Sequence, residues 1–193
     1  MIDRAIRYTS YLFFLSLFTQ VGKHFWPSFS LVSGIRIDYL SPTLYLSDIL
    51  VSVLFSLLIL KFVHKPFINK RFLFLISPLI LILIAQIFVA RSIPAHLYFS
   101  FKLIEYVFVA FFVKQFISHK TIVSVLFFIT LGALFSSLLA IAQFINQGSL
   151  QSIFYFLGER EFNSSTIGIA SMQIQGITLV RPYAAFPHPN VLA

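Results

Sequence analysis

No cysteine occurs among the 193 residues. Its absence excludes disulfides, thiolate nucleophiles and cysteine metal sites, but says nothing of the redox compartment. Charge is scarce as well, at 10% of the residues, against roughly 25% in an average soluble domain. Acidic side chains are the scarcest of all: six Asp and Glu stand beside fourteen Lys and Arg. The histidines, at 24, 64, 96, 119 and 188, are scattered and form no metal spacing such as HExxH. No serine elbow, glycine-rich phosphate loop, paired acidic motif, internal repeat or low-complexity tract is present. A metal centre, a cofactor site and a complete active site are therefore not expected within these residues.

What is abundant is apolar surface. Hydrophobic residues make up 59% of the chain, and phenylalanine alone occurs 25 times. Runs of this kind need lipid, so the expected class is an all-α integral membrane protein. Five spans can be marked, at 8–21, 44–63, 72–90, 97–117 and 122–145. The last four have the roughly 20 residues that cross a ~30 Å hydrocarbon core. The first is shorter, needing Arg7 to snorkel and Phe25 and Trp26 to lie at the interface. A signal peptide competes for that segment, but Gly22-Lys-His-Phe-Trp26 offers no small-residue cleavage site.

The basic residues divide unevenly between the two sides of such a bundle. Arg4, Arg7, Lys61, Lys65, Lys70, Arg71, Lys114 and Lys120 fall on one side, and Lys23, Arg36, Arg91, Arg160 and Arg181 on the other. The positive-inside rule then puts the N-terminus in the cytoplasm and residues from Asn146 onward outside. The cluster from Lys65 to Arg71 reads as a topology signal beside anionic lipid, not as a nucleic-acid patch.

The expected organisation is a five-span bundle over 1–145, an outer loop over 146–189, and the first turn of a sixth helix at 190–193. Within the loop, 151–156 suits a short interfacial helix. Met172 and Ile174 before Gln175-Gly176, with Ile177 and Leu179 after it, suggest a hairpin. Glu159 and Glu161 flank Arg160 and read as a solvated loop. Gln86 and Gln143 read as hydrogen-bonding residues between helices, Pro78 as a kink, and Asp48 as a first-turn residue complementing the helix dipole.

Two cations stand out. Lys102 and Glu105 are three apart on one helix face, forming either a self-neutralising pair or a cavity in which Lys102 meets an anionic head group. Arg181 precedes a strap stiffened by Pro182, Pro187 and Pro189. Its guanidinium suits phosphate oxygens, and Asn190 is expected as the N-cap of a following helix whose free N–H groups also favour anions. These features fit a lipid-linked diphosphate at the outer face, or an interfacial anchor touching lipid phosphates.

The stretch Arg181-Pro-Tyr-Ala-Ala-Phe-Pro-His-Pro-Asn-Val-Leu-Ala193 resembles the R-x-Y-G-T-F-x-x-P-N-x-L-A pattern of the bacterial O-antigen ligase and polymerase family. Arg181, Tyr183, Phe186, Pro189, Asn190, Leu192 and Ala193 match it. Ala184-Ala185 departs from the usual Gly-Thr, and alanine does not take φ > 0 cheaply. Leu157-Gly-Glu-Arg160, Tyr39-Leu-Ser-Pro and Leu46-Ser-Asp48 resemble the family more loosely. The resemblance implies a GT-C-like, metal-independent glycosyltransferase of the bacterial cytoplasmic membrane, requiring no cofactor. Such enzymes move a glycan from a polyprenyl diphosphate to a lipid or glycan acceptor on the outer face. It further implies that Arg181 holds the diphosphate, with Lys102 as a helper, while Tyr183, Phe186, Pro189 and Asn190 shape the strap. The proposed base histidine would lie beyond Ala193, making the chain the front part of a longer enzyme and inactive alone. The rival classes are a polysaccharide-repeat polymerase of the same family, a membrane carrier or flippase, and a non-catalytic scaffold.

Overall fold

The computed structural model describes residues 1–36, 40–63 and 70–192. Tyr39, the connection 64–69 and Ala193 lie outside the described residues. Five longer helices organise the chain: α1 (Ile2–Ser16), α2 (Leu46–Lys61), α3 (Lys70–Ile87), α4 (Ile93–Phe116) and α5 (His119–Asn146). Their starts carry recognisable signals. The Ser92 hydroxyl accepts the Ala95 N–H at 3.4 Å, with Pro94 in the first turn of α4. At α5 the Ser118 N–H donates to Thr121 Oγ1 at 2.9 Å.

The expectation of an all-α bundle with five spans is overturned. Among the described residues only α4 and α5 are long and apolar enough to cross a membrane. At ~1.5 Å per residue they reach ~36 and ~42 Å, whereas α1 and α2 reach only ~22 and ~24 Å. The apolar runs outlast these helices because the chain leaves helical geometry early. Helix α1 starts at Ile2 and stops at Ser16, and Leu44 and Tyr45 are taken into a strand. In α3 the stretch Ile76–Ile87 is apolar and helical but shorter than α4 or α5.

Among the described residues three two-stranded antiparallel sheets accompany the helices. Strand β1 (Gly22–His24) pairs with β4 (Thr43–Tyr45), and β2 (Leu31–Val32) with β3 (Ile35–Arg36). Strand β5 (Ser171–Ile174) pairs with β6 (Ile177–Val180). The last pair turns over Gln175 (φ 51°) and Gly176 (φ 81°), the two positive φ values that a tight hairpin of matching twist requires. Met172 faces Leu179 and Ile174 faces Ile177 across it.

Helix α1 packs on α2 and α5 around Ile6, Phe13, Phe14, Leu54, Leu58 and Val125. The Phe18 ring lies over Gly132 of α5, where an added Cβ would come within 2.4 Å of it. Outside this core the long helices are mostly uncovered: 22% of the apolar window of α4 and 28% of that of α5 are buried. The core helix of a water-soluble domain would be covered on most sides. These flanks suit lipid instead.

The ends of the bundle follow from the contacts. Lys61, at the C-terminus of α2, meets Asp3 of α1 beside Phe116 and Thr121. That end gathers the start of α1, the close of α2 and α4, and the start of α5. The C-terminus of α5 and the loop after it therefore lie at the other end, where Leu46 N–H donates to Val21 O at 2.8 Å.

Candidate functional site

The residues after α5 are not a loosely solvated loop. They close around Gln143, which is 1% exposed in the last turns of α5. Its Oε1 accepts the N–H groups of Tyr183 at 3.0 Å and Ala184 at 2.7 Å. Its Nε2 donates to Ala184 O at 2.9 Å and to Glu159 Oε1 at 2.8 Å. All four hydrogen-bonding positions of the amide are thus filled.

Glu159, expected in a solvated loop, is 2% exposed. Its Oε1 also accepts Leu150 N–H at 2.8 Å, and its Oε2 accepts Gln151 N–H at 2.5 Å. Three N–H donors on a buried carboxylate replace the water it gives up. The loop is drawn against the end of α1 as well: a Cβ on Gly158 (φ 96°) would lie 2.7 Å from Gln20 N, so only glycine fits there. Short helices follow at α6 (Ile153–Phe156) and α7 (Pro189–Leu192).

The strap 181–188 is held along its length. Val180 N–H donates to Gln147 Oε1 at 2.8 Å, and Arg181 N–H to Ala170 O at 2.9 Å. Tyr183 is 3% exposed, lies tilted against Phe162 with ring centroids 5.0 Å apart, and accepts Ala170 N–H on its hydroxyl at 2.9 Å. Phe186 packs beside Leu139, Ala140, Ala184 and Ala185. Pro189 is buried in the first turn of α7. Asn190 is not the N-cap: it lies inside α7, and its own N–H is taken by His188 Nδ1 at 3.2 Å. His188 therefore does the capping, and a four-residue helix so capped offers little to an anion.

Backbone strain gathers in the same place. Gln147 (φ 51°), Gln151 (φ 58°), Ser152 (φ 57°) and Ala184 (φ 50°) have positive φ without being glycine. Each costs about 1–2 kcal/mol, and such residues persist only where their surroundings over-determine them. Ala184 occupies the position where glycine is usual in the resembled pattern, and it is fully buried. The Gln151 Nε2 is buried without a partner among the described residues.

Arg181 itself is half-buried, and its guanidinium makes no hydrogen bond or ion pair with another described residue. Lys102 is placed differently. Its ammonium contacts Asp48 Oδ2, lies 3.7 Å from Glu105 Oε2, and sits over the rings of Tyr45 and Tyr98 at 5.5 and 5.7 Å. Asp48 also accepts Tyr45 N–H at 2.7 Å, so it serves both the start of α2 and the ion cluster. With two carboxylates on one ammonium, Lys102 has no spare charge to offer an anion. It lines a cavity of about 410 Å³ with Tyr45, Asp48 and Tyr98, and Arg181 is not part of that lining. Among the described contacts none joins Lys102 to Arg181. Among the described residues no group of three metal-ligating side chains occurs.

Neither the family models, the curated proteins nor the solved structures contain a match to this chain.

Two signals for the strap's anchorage are visible in the sequence. Gln143 is a lone amide at the end of an apolar run, and Glu159 follows a glycine directly. Neither spacing says that they meet, sixteen residues apart, inside the fold.

Proposed function

We propose that the chain is a membrane-embedded part of an O-antigen ligase-like glycosyltransferase, in which Arg181 binds the diphosphate of a polyprenyl-linked glycan. The observation that carries this is the contrast within the strap. Its backbone and its buried residues are fixed on Gln143, while the one guanidinium on it has no partner among the described residues. With its backbone already held, Arg181 can grip a phosphate without the strap having to be ordered, and its planar fork suits two oxygens at once. The matching residues Arg181, Tyr183, Phe186, Pro189 and Asn190 support the same assignment.

In this proposal α4 and α5 cross the bacterial cytoplasmic membrane with their connection inside, because Lys114 and Lys120 flank it. The strap then faces outward, where the carrier's diphosphate would be met. Since the chain has no cysteine, a single Ile167→Cys reports its side cleanly; Ile167 is 99% exposed. Labelling by an impermeant maleimide from outside is expected, and labelling only from the cytoplasm would overturn the orientation.

The test of function is glycan transfer from a polyprenyl diphosphate donor, in membranes of cells expressing the gene with Arg181→Ala or Arg181→Lys. A loss of about 100-fold is expected for alanine with normal insertion, and partial recovery for lysine. Undiminished transfer by the alanine variant would remove Arg181 from the reaction. The buried Lys102–Asp48–Glu105 cluster favours a second reading, a membrane carrier. A carrier would lose activity on substitution of Lys102 and tolerate the loss of Arg181.

A further inference from the structure

At the end of the bundle opposite the strap, four helices enclose another cavity, of about 330 Å³. Its mouth carries Asp3, Arg7 and Lys61, and its walls include Phe112, Phe116 and Val125. Lys61 Nζ lies 2.7 Å from Asp3 Oδ1 and over the ring of Phe116 at 5.8 Å. Asp3 thus offsets one of the two cations. Arg7 is exposed, and its guanidinium makes no ion pair with another described residue. The mouth keeps one uncompensated positive charge above an apolar interior. Tyr11 also lines the cavity, with its ring stacked on Phe128.

We infer that this cavity binds one anionic phospholipid. Its phosphate would sit between Arg7 and Lys61, and the first methylenes of its chains would lie against Phe112 and Phe116. A free inorganic anion would leave the apolar interior unused, and a zwitterionic head group would set its own cation against Arg7. Basic pockets between membrane helices at the cytoplasmic surface recognise anionic lipid in this way. The inference uses the membrane placement of α4 and α5 but not the role of Arg181, and it concerns the opposite end of the molecule.

The test is lipid titration of the purified protein in neutral detergent, with adducts counted by native mass spectrometry. The probes are phosphatidylglycerol, phosphatidylcholine and inorganic phosphate. Phosphatidylglycerol is expected to bind at one site at least tenfold more tightly than phosphatidylcholine, and phosphate not to displace it. At about fivefold per interfacial charge, Arg7→Gln should weaken phosphatidylglycerol about fivefold. Asp3→Asn, which frees Lys61, should strengthen it by a similar factor, a gain that a misfolded variant does not produce. Equal binding of the two lipids would overturn the inference, as would indifference to both substitutions. Displacement by inorganic phosphate would assign the site to a soluble anion instead.

Discussion

Glu159 and Glu105 are both buried carboxylates, and their surroundings solve the problem of burial in opposite ways. Glu159 has no cation among its described partners and is satisfied by N–H donors from Gln143, Leu150 and Gln151. Glu105 shares the ammonium of Lys102 with Asp48, and its Oε2 is buried without a hydrogen-bond partner. Directed donors hold a backbone in one geometry, whereas a shared ammonium on a flexible stem does so much less. The first arrangement builds a rigid platform for the strap; the second ties α4 to the start of α2 while leaving a polar atom unmet. Platform and tie are therefore expected to respond differently to the same chemistry.

The largest effect should come from removing the hub of the platform. Gln143→Leu keeps the approximate volume but strands the amides of Tyr183 and Ala184 and the carbonyl of Ala184, and leaves Glu159 Oε1 with Leu150 N–H alone. A loss of about 3–5 kcal/mol is expected by chemical denaturation, with rapid hydrogen exchange at Tyr183 and Ala184. Slow exchange there in the variant would mean that the strap is held by something else.

The comparison is sharpened by making one substitution at both carboxylates. Glu159→Gln replaces an acceptor oxygen with an NH₂ group facing N–H donors, and should cost about 1–3 kcal/mol. Glu105→Gln removes a buried charge whose oxygen has no hydrogen-bond donor, and should be neutral or stabilising. Equal costs in thermal unfolding would erase the distinction drawn between the two sites.

Smaller effects are expected at two adjacent buried alanines. Both Ala184→Gly and Ala185→Gly delete a buried methyl group, but only Ala184 has a positive φ to be relieved. The Ala184 substitution should therefore be milder by about 1–2 kcal/mol. Identical unfolding free energies would show that the left-handed backbone at 184 carries no strain.

The smallest effect belongs to the exposed pair of Asp3 and Lys61. The hydrogen bond from Lys61, followed by its charge, holds the Asp3 carboxyl below its ordinary range. A lowered folded-state pKa stabilises above the unfolded value of about 3.9 and ceases to as pH falls through the folded value. Asp3→Asn should thus lower the unfolding temperature slightly and evenly from pH 5 to 7. The difference from the parent should shrink below about pH 4, and one that grew with acid would refute the ion pair.

Parts of this architecture were legible in the residues. The long apolar runs ending in Phe116 and Asn146 placed α4 and α5 to within a few residues, because nothing in them competes with helix. Gln175-Gly176 marked its hairpin, since few dipeptides accept two positive φ values. The early exit of α1 at Ser16 was hidden: Leu17–Val21 are as apolar as the helix, and hydropathy does not distinguish helix from the extended chain that follows. The strands at 22–24 and 43–45 are too short to show a period. Glu159 was misread because Arg160 and Glu161 beside it signal solvent, while its burial depends on Gln143, distant in sequence. Lys102 was legible as half of a pair with Glu105, but Asp48, on another helix and 54 residues away, was not recognisable as its nearer partner.

The most direct measurement is the affinity of the purified protein for a polyprenyl diphosphate, compared with that of Arg181→Ala, with amide exchange at Ala184 as a check on the strap. An arginine held for phosphate predicts at least about a tenfold loss of affinity with exchange unchanged. Equal affinity in the two proteins, on an intact strap, would contradict the assignment of Arg181 as the diphosphate ligand.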